Sequence, residues 1–162
     1  MRLLFLLLAF LYMSNAMANY PEDISAYIEW DFETKLVEDY ASLEAQYKKL
    51  QKEIDDEIPW YDPFKLYSKF ARTNLNKDIG LKNVKIKYEY AEETSSSDWI
   101  DHEKVLEISQ NKNITFGQIL FELHHSTNKK LHGQDIMAIE GFELDESTKD
   151  ESIPTYHVFF GS

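Results

Sequence analysis

The spacing of the apolar residues changes at Gly80, and this change limits what the chain can fold into. After Gly80, apolar and charged residues alternate from Val84 to Tyr90, which is the period of a half-buried strand. Before Gly80, apolar residues recur every three or four positions, as in a helix with one buried stripe. The sequence therefore predicts an α+β fold, with a helical part in residues 19–80 and a sheet part in residues 81–162. The residues of the helical stripe are Leu36, Tyr40, Leu43, Tyr47, Leu50 and Ile54.

The helical part is predicted to form a hairpin of two helices. The first covers residues 21–57, because Pro21 suits a first helical turn and the two acidic residues after it would lie at the positive end of the helix dipole. A break at residues 59–63 ends it, and a second helix continues to residue 74. The stripe is shorter than the three to four heptads of a coiled coil, so we expect it to pack within its own chain. The alternative is an envelope structural protein that oligomerises through this helix.

The sheet part has the pattern strand, strand, helix, strand, strand (β-β-α-β-β), which predicts an antiparallel or mixed sheet with one helix across a face. Thr115 and Gln118 resemble a capping box that begins the helix, and Gly133 is placed to end it. The predicted elements are strands at residues 84–90 and 104–109, a helix at 116–132, and strands at 136–144 and 155–160.

Residues 1–18 have the pattern of a secretory signal peptide. Arg2 precedes an apolar run of eleven residues, and Ala16 and Ala18 form an A-x-A site. The run is shorter than the roughly 20 residues that span a bilayer, so we expect cleavage after Ala18 and no membrane span in the mature chain. The mature residues 19–162 are predicted to form one domain, secreted or held in a bacterial periplasm.

The sequence contains no cysteine, which excludes disulfides, thiolate metal ligands and a cysteine nucleophile. Small secreted domains of eukaryotes usually depend on disulfides, so an exported chain without them fits a bacterial secretion route better. We expect its stability to come from packing alone.

The chain is strongly acidic, with a formal net charge of −12 that becomes −13 once Arg2 is removed with the signal peptide. Such a surface repels nucleic-acid phosphates and anionic lipid headgroups. We therefore predict no nucleic-acid partner and favour a basic protein partner. The alternative is an acidic surface that only faces water.

Three of the five histidines lie in the stretch FELHHSTNKKLHGQD, at His124, His125 and His132. On a helix the last two are about 10.5 Å apart along the axis, so one zinc ion cannot bind both. His124 continues the apolar face of the helix and is predicted to be a partly buried, hydrogen-bonded core residue. The weak metal candidates are Glu122, His125, His132 and Asp135.

No catalytic residue or cofactor is assigned. The chain lacks the HExxH, GxSxG and GxGxxG patterns, and it has only five glycines with which to form a phosphate-binding loop. The enzymatic alternative is a small metal-dependent or acid–base hydrolase that uses residues 124–135.

The leading hypothesis is a non-catalytic protein-binding module, in its most concrete form an acidic inhibitor or immunity-type protein that neutralises a basic partner. Exposed aromatic residues surrounded by carboxylates are typical of protein-binding surfaces. We expect a monomer or a weak dimer. The residues predicted to bind the partner are Asp98, Trp99, Asp101, Glu103, Asp145, Glu146, Asp150 and Glu151.

Overall fold

The computed structural model describes residues 20–30, 32, 37–57, 73–93, 98–127 and 138–161. These residues form five strands, two α-helices and one short 3-10 helix. In chain order the elements are β1 (Asp23–Glu29), α1 (Tyr40–Glu57), β2 (Asn83–Glu93), β3 (Trp99–Ser109), α2 (Phe116–Thr127), β4 (Ala138–Leu144), the 3-10 helix (Glu146–Thr148) and β5 (Thr155–Gly161).

The five described strands form one mixed sheet in the order β1-β4-β5-β2-β3. The β1–β4, β4–β5 and β2–β3 pairs are antiparallel, and β2 and β5 run parallel, with Ile86 opposite Tyr156. The predicted α+β class with a mixed sheet is therefore confirmed. The finer arrangement differs, because β1 comes before the first described helix and adds a strand beside β4.

The prediction that one helix begins at Pro21 is wrong, because residues 23–29 form β1. Every second residue from Ile24 to Phe32 is apolar and buried, and Ile28 and Trp30 are almost completely enclosed. This period of two is the signature of a strand. The proline and the acidic residues at its start resemble the beginning of a helix and concealed the alternation.

Helix α1 begins at Tyr40, where Asp39 acts as its cap. The Asp39 carboxylate accepts a 2.7 Å hydrogen bond from the amide of Ser42, which stabilises the ionised form and lowers the pKa of Asp39. Leu43 and Tyr47 of the predicted stripe are buried, and the ring of Tyr40 packs against Phe121 of α2. The stripe thus packs within the chain, but its described helical partner is α2. The predicted second helix of the hairpin, at residues 63–74, lies almost entirely outside the described residues.

Among the described residues of the range 81–161, two strands, a helix and two strands follow one another, with a 3-10 helix between the last two strands. The capping box at α2 is present: the Gln118 side chain accepts a 2.8 Å bond from the amide of Thr115, and the Thr115 hydroxyl accepts one of 3.3 Å from the amide of Gln118. β3 begins at Trp99, five residues before the predicted start at residue 104. Glycine at position 80 has φ +79°, a left-handed conformation that suits a residue without Cβ.

The sheet has one face toward the helices and a second face on the opposite side. Along β2, Val84, Ile86 and Tyr88 lie in the core, whereas Lys85 and Lys87 between them belong to the second face. Helix α2 covers the core face, where Phe116 contacts the ring of Phe142 on β4. The second face is the one on which charged side chains of adjacent strands meet.

Within the described ranges no helix has the length and apolar composition needed to cross a bilayer. The predicted signal peptide, residues 1–18, lies outside those ranges, so it remains a prediction.

Candidate functional site

The first group of predicted partner-binding residues lies at the beginning of β3. Trp99 is the first residue of the strand, Asp101 and Glu103 follow on the same face, and Asp98 directly precedes it. All four are exposed. Trp99 lies opposite Glu93 and Asp101 lies opposite Ala91 on β2. Paired residues in an antiparallel ladder point to the same face of the sheet.

The second group lies in the connection between β4 and β5, where its carboxylates have structural partners. Asp145 caps the 3-10 helix by accepting a 3.0 Å bond from the amide of Ser147 and a 2.6 Å bond from its hydroxyl. Its other oxygen lies 3.3 Å from Nε2 of His157. Glu151 pairs with Lys85 at 3.0 Å, and Glu146 pairs with Lys149 at 3.3 Å.

The far members of the two groups are separated along the sheet. The parallel register places Thr155, the first residue of β5, beside Lys85 near the start of β2, and Lys85 pairs with Glu151. Glu93, which lies opposite Trp99, is eight residues further along β2, which corresponds to roughly 26 Å. The near members are closer together, because the charges of Glu103 and Asp145 both act on the ammonium of Lys87.

Apolar side chains that the sequence reasoning missed enlarge the first group. Ile100 is 51% exposed and Val105 is 54% exposed, close to the 55% of Trp99. The segment from Trp99 to Val105 reads WIDHEKV, in which Trp99 and Val105 lie on the face of Asp101 and Glu103 and Ile100 lies on the opposite face. The predicted strand begins only at residue 104, because WIDHEK does not alternate apolar and polar residues.

Ion pairs connect β3 to β2 near this surface. The Lys87 ammonium lies 2.5 Å from the Glu103 carboxylate, and this hydrogen bond is the main reason that the pKa of Lys87 is raised. On the core side of the same hairpin, His102 stacks on Tyr90 with ring centroids 5.1 Å apart and lies 3.3 Å from the carboxylate of Glu92. These contacts hold the two strands together at the end where β3 is most exposed.

The histidines of α2 have separate surroundings. His124 is completely buried, and its Nδ1 accepts a 3.2 Å hydrogen bond from the indole of Trp30. His125 is half-buried, and its Nδ1 lies 2.9 Å from the carbonyl oxygen of Phe121, one turn earlier in the helix. This contact makes Nδ1 of His125 a donor and leaves Nε2 as the ring nitrogen with a free lone pair.

The metal candidates are only partly placed by the structure. Glu122 and His125 are half-buried in α2, whereas His132 and Asp135 lie outside the described residues. Among the described side chains, no three histidine or carboxylate groups are arranged to hold a metal ion. The hydrolase alternative, which needs residues 124–135, stays a prediction.

A cavity of about 490 Å³ lies against α1, and none of the predicted site residues is in its lining. Its lining combines acidic and basic residues of α1 with the segment 74–76. Gln51 lines it with a carboxamide whose buried nitrogen and oxygen have no hydrogen-bond partner. The mixed charges of the lining do not favour one class of ligand.

The start of β3 is therefore the strongest candidate surface among the described residues. On one face of an outer strand it combines the exposed apolar side chains of Trp99 and Val105 with the carboxylates of Asp101 and Glu103, which is the composition expected of a contact with another protein. Ile100 is exposed on the other face of the same strand. Comparison with protein-family models, with curated proteins and with solved structures finds no match for the chain.

Proposed function

We propose that this protein is an exported, non-catalytic binding module that neutralises a basic protein partner through the surface at the start of β3. The observation that carries the proposal is the exposure of Trp99 and Val105 on the face of β3 that also carries Asp101 and Glu103. Large exposed apolar residues that are interleaved with acids provide both contact area and a charge preference.

Net charge supports a basic partner over an acidic one. At −12 the chain attracts cationic proteins over distances of about a Debye length, roughly 8–10 Å at moderate salt. Exposed charges mainly accelerate association, whereas the apolar residues at the centre of a contact slow dissociation. Binding that depends on both Trp99 and the neighbouring carboxylates is therefore expected.

The acidic connection between β4 and β5 is left out of the proposed binding surface. Unlike the start of β3, residues 145–154 carry no large exposed apolar side chain, and Glu151, which pairs with Lys85, lies roughly 26 Å along β2 from the level of Trp99. This geometry supplies a matched control, because charges can be removed from either group in equal number.

The experiment begins with capture of a partner from the extracellular or periplasmic fraction of the source cells, followed by measurement of its Kd for purified variants. We expect Trp99→Ala to weaken binding at least tenfold and Asp101→Asn with Glu103→Gln to reduce the association rate several-fold. The control Glu146→Gln with Asp150→Asn removes the same number of charges and is expected to change Kd less than twofold. Equal Kd values for both pairs of variants, with Trp99→Ala unchanged, would show that the surface is assigned wrongly.

A further inference from the structure

We propose that the outer edge of β3 accepts an extended segment of the basic partner as an additional strand of the sheet. The inference rests on the proposed function and adds the mode of recognition: backbone hydrogen bonds along β3, with basic side chains of the partner beside its carboxylates.

The register identifies which backbone groups of β3 face away from β2. The amide of Gln110 donates a 2.9 Å bond to the carbonyl of Lys82, so the even-numbered residues of β3 form the hydrogen-bonded pairs with β2. The amide of Lys85 donates instead to the carbonyl of Pro154, at the start of β5, as this alternation requires. The odd-numbered residues of β3 therefore direct their N–H and C=O groups to the outer edge.

The outer edge is open in the part of the chain that the structure describes. β3 is the last strand in the sheet order, and most of its eleven residues are exposed. A long strand with unpaired N–H and C=O groups is a template for another extended chain, and natural proteins usually protect such an edge. No proline interrupts β3, and it carries one lysine, Lys104, against the three carboxylates of Asp101, Glu103 and Glu107.

The odd-numbered residues also determine what the added strand meets on the second face. In order along β3 they are Trp99, Asp101, Glu103, Val105, Glu107 and Ser109. A strand that pairs with this edge presents every second side chain to that face. Lysine or arginine at those alternate positions would lie beside Asp101 and Glu107, and its aliphatic part would cover Val105.

A second copy of this chain fits the edge poorly. Two β3 strands related by a two-fold axis pair in an antiparallel way, and the three registers with the longest overlap are centred on residues 103, 104 and 105. These registers place Glu103 opposite Glu103, Asp101 opposite Glu107, and Glu103 opposite Glu107, respectively. Like charges directly opposite one another destabilise a strand pair, so the charges favour a basic occupant.

The test uses an eight-residue peptide that alternates lysine and valine, together with two variants at one position. Val105→Pro removes an N–H that faces the outer edge and no bond to β2, and proline is tolerated on edge strands in that orientation. Val105→Thr changes the same side chain and keeps the N–H. We expect the peptide to bind the wild type and Val105→Thr with Kd values within twofold, and Val105→Pro at least tenfold more weakly.

Backbone amide exchange gives a second readout that side-chain contacts would not change. In the free protein the amides of Asp101, Glu103, Val105 and Glu107 are expected to exchange faster than those of Leu106 and Ile108, and the peptide is expected to slow the four odd-numbered amides selectively. A thermal unfolding curve for Val105→Pro checks that the variant is folded. Leu106→Pro, which removes a bond to β2, is expected to unfold at lower temperature than Val105→Pro.

Several results would overturn the inference. If the peptide binds Val105→Pro as tightly as Val105→Thr and leaves the odd-numbered amides unprotected, recognition uses side chains alone. In that case the proposed function stands if Trp99→Ala still loses the captured partner, and it falls as well if Trp99→Ala retains it. The inference is contradicted if the peptide does not bind, or if a peptide with glutamate in place of lysine binds equally well. It is also contradicted if the protein forms a dimer that Val105→Pro abolishes.

Discussion

The indole Nε1 of Trp30 donates a 3.2 Å hydrogen bond to Nδ1 of His124, and both side chains are fully enclosed in the core. The rings meet edge to face, with centroids 5.4 Å apart and planes at 86°. Because Nδ1 acts as the acceptor, the neutral ring carries its proton on Nε2. The pair connects the residue after β1 to α2 across 94 positions of sequence, so it joins the N-terminal strand to the rest of the fold.

We expect His124→Leu to lower the free energy of unfolding by about 1–3 kcal/mol, because the buried indole N–H loses its acceptor. Trp30→Phe should also destabilise the protein. The double variant should cost less than the sum of the two single changes by about 1 kcal/mol, since neither polar group remains. Urea unfolding of the four proteins measures the coupling, and strictly additive effects would show that the hydrogen bond does not contribute.

Gly117 allows the close approach of α1 and α2. A Cβ at this position would lie 2.9 Å from two ring carbons of Tyr40 and nearer still to its hydroxyl. Alanine is favoured over glycine in a helix by about 1 kcal/mol, but overpacking costs about 1–3 kcal/mol. We expect Gly117→Ala to destabilise the wild type by about 1 kcal/mol.

The same substitution should reverse its sign when the tyrosine ring is removed. In a Tyr40→Leu background, Gly117→Ala is expected to raise the free energy of unfolding by up to about 1 kcal/mol, because only the helix preference remains. Denaturant titration of the four proteins tests this. Destabilisation of equal size in both backgrounds would show that Tyr40 is not the obstacle.

The raised pKa of Tyr156 leads us to expect a loss of folding stability at high pH. Burial is the main reason that its pKa is raised to about 12, with the nearby Tyr20 as a smaller contribution. An unfolded tyrosine ionises near pH 10, so the folded state holds its proton more tightly. The resulting stabilisation is complete below about pH 10 and is lost as the pH rises toward 12, by roughly 2–3 kcal/mol.

Tyr156→Phe separates this effect from the ionisation of other groups. Near pH 9 the variant should be less stable by about 1 kcal/mol, because the hydroxyl donates a 2.8 Å bond to the carbonyl of Pro21. At pH 11–12 the difference should shrink or reverse. Urea titrations of the wild type and Tyr156→Phe at both pH values measure this difference in the free energy of unfolding. A difference that does not change with pH would contradict the raised pKa of Tyr156.

The lowered pKa of Asp145 leads us to expect a loss of folding stability at low pH. The hydroxyl of Ser147 is the main cause of its lowered pKa, followed by the amide of the same residue, with a smaller contribution from His157. Because the folded pKa lies below the usual 3.8, the stabilisation is present above that pH and is lost as the pH falls through the folded value. An NMR titration of the carboxyl carbon should give a midpoint below 3.8.

Ser147→Ala is the matched variant for this titration. It removes the 2.6 Å side-chain bond and keeps the 3.0 Å backbone bond, so the midpoint of Asp145 should rise toward its usual value without reaching it. An unchanged midpoint in Ser147→Ala would mean that the hydroxyl does not hold the carboxylate.

The final strand should be indispensable for folding. β5 lies inside the sheet between β4 and β2, and Tyr156 is completely buried. We expect a chain that ends at Thr155 to lack a cooperative thermal transition, whereas removal of Ser162 alone should leave it. A soluble truncated protein that melts cooperatively would show that β5 is not required.

Local sequence patterns predicted the structure correctly at positions where that structure depends on nearby residues. The alternation in β2 and the capping box at Thr115 and Gln118 involve contacts within a few positions. The same is true of the stripe on α1, because its spacing alone places Leu43 and Tyr47 on one face. These features were predicted correctly from residue type and period.

The tertiary structure decided what depends on distant partners. Ile24 lies in a strand because Phe142 is opposite it on β4, more than a hundred residues later. The two acidic segments looked equivalent in sequence, but the strand pairing places Glu151 beside Lys85, roughly 26 Å along β2 from the level of Trp99. Period and charge are properties of neighbouring residues, whereas strand order and edge position follow from which surfaces are buried together, and that choice is made only when the whole chain packs.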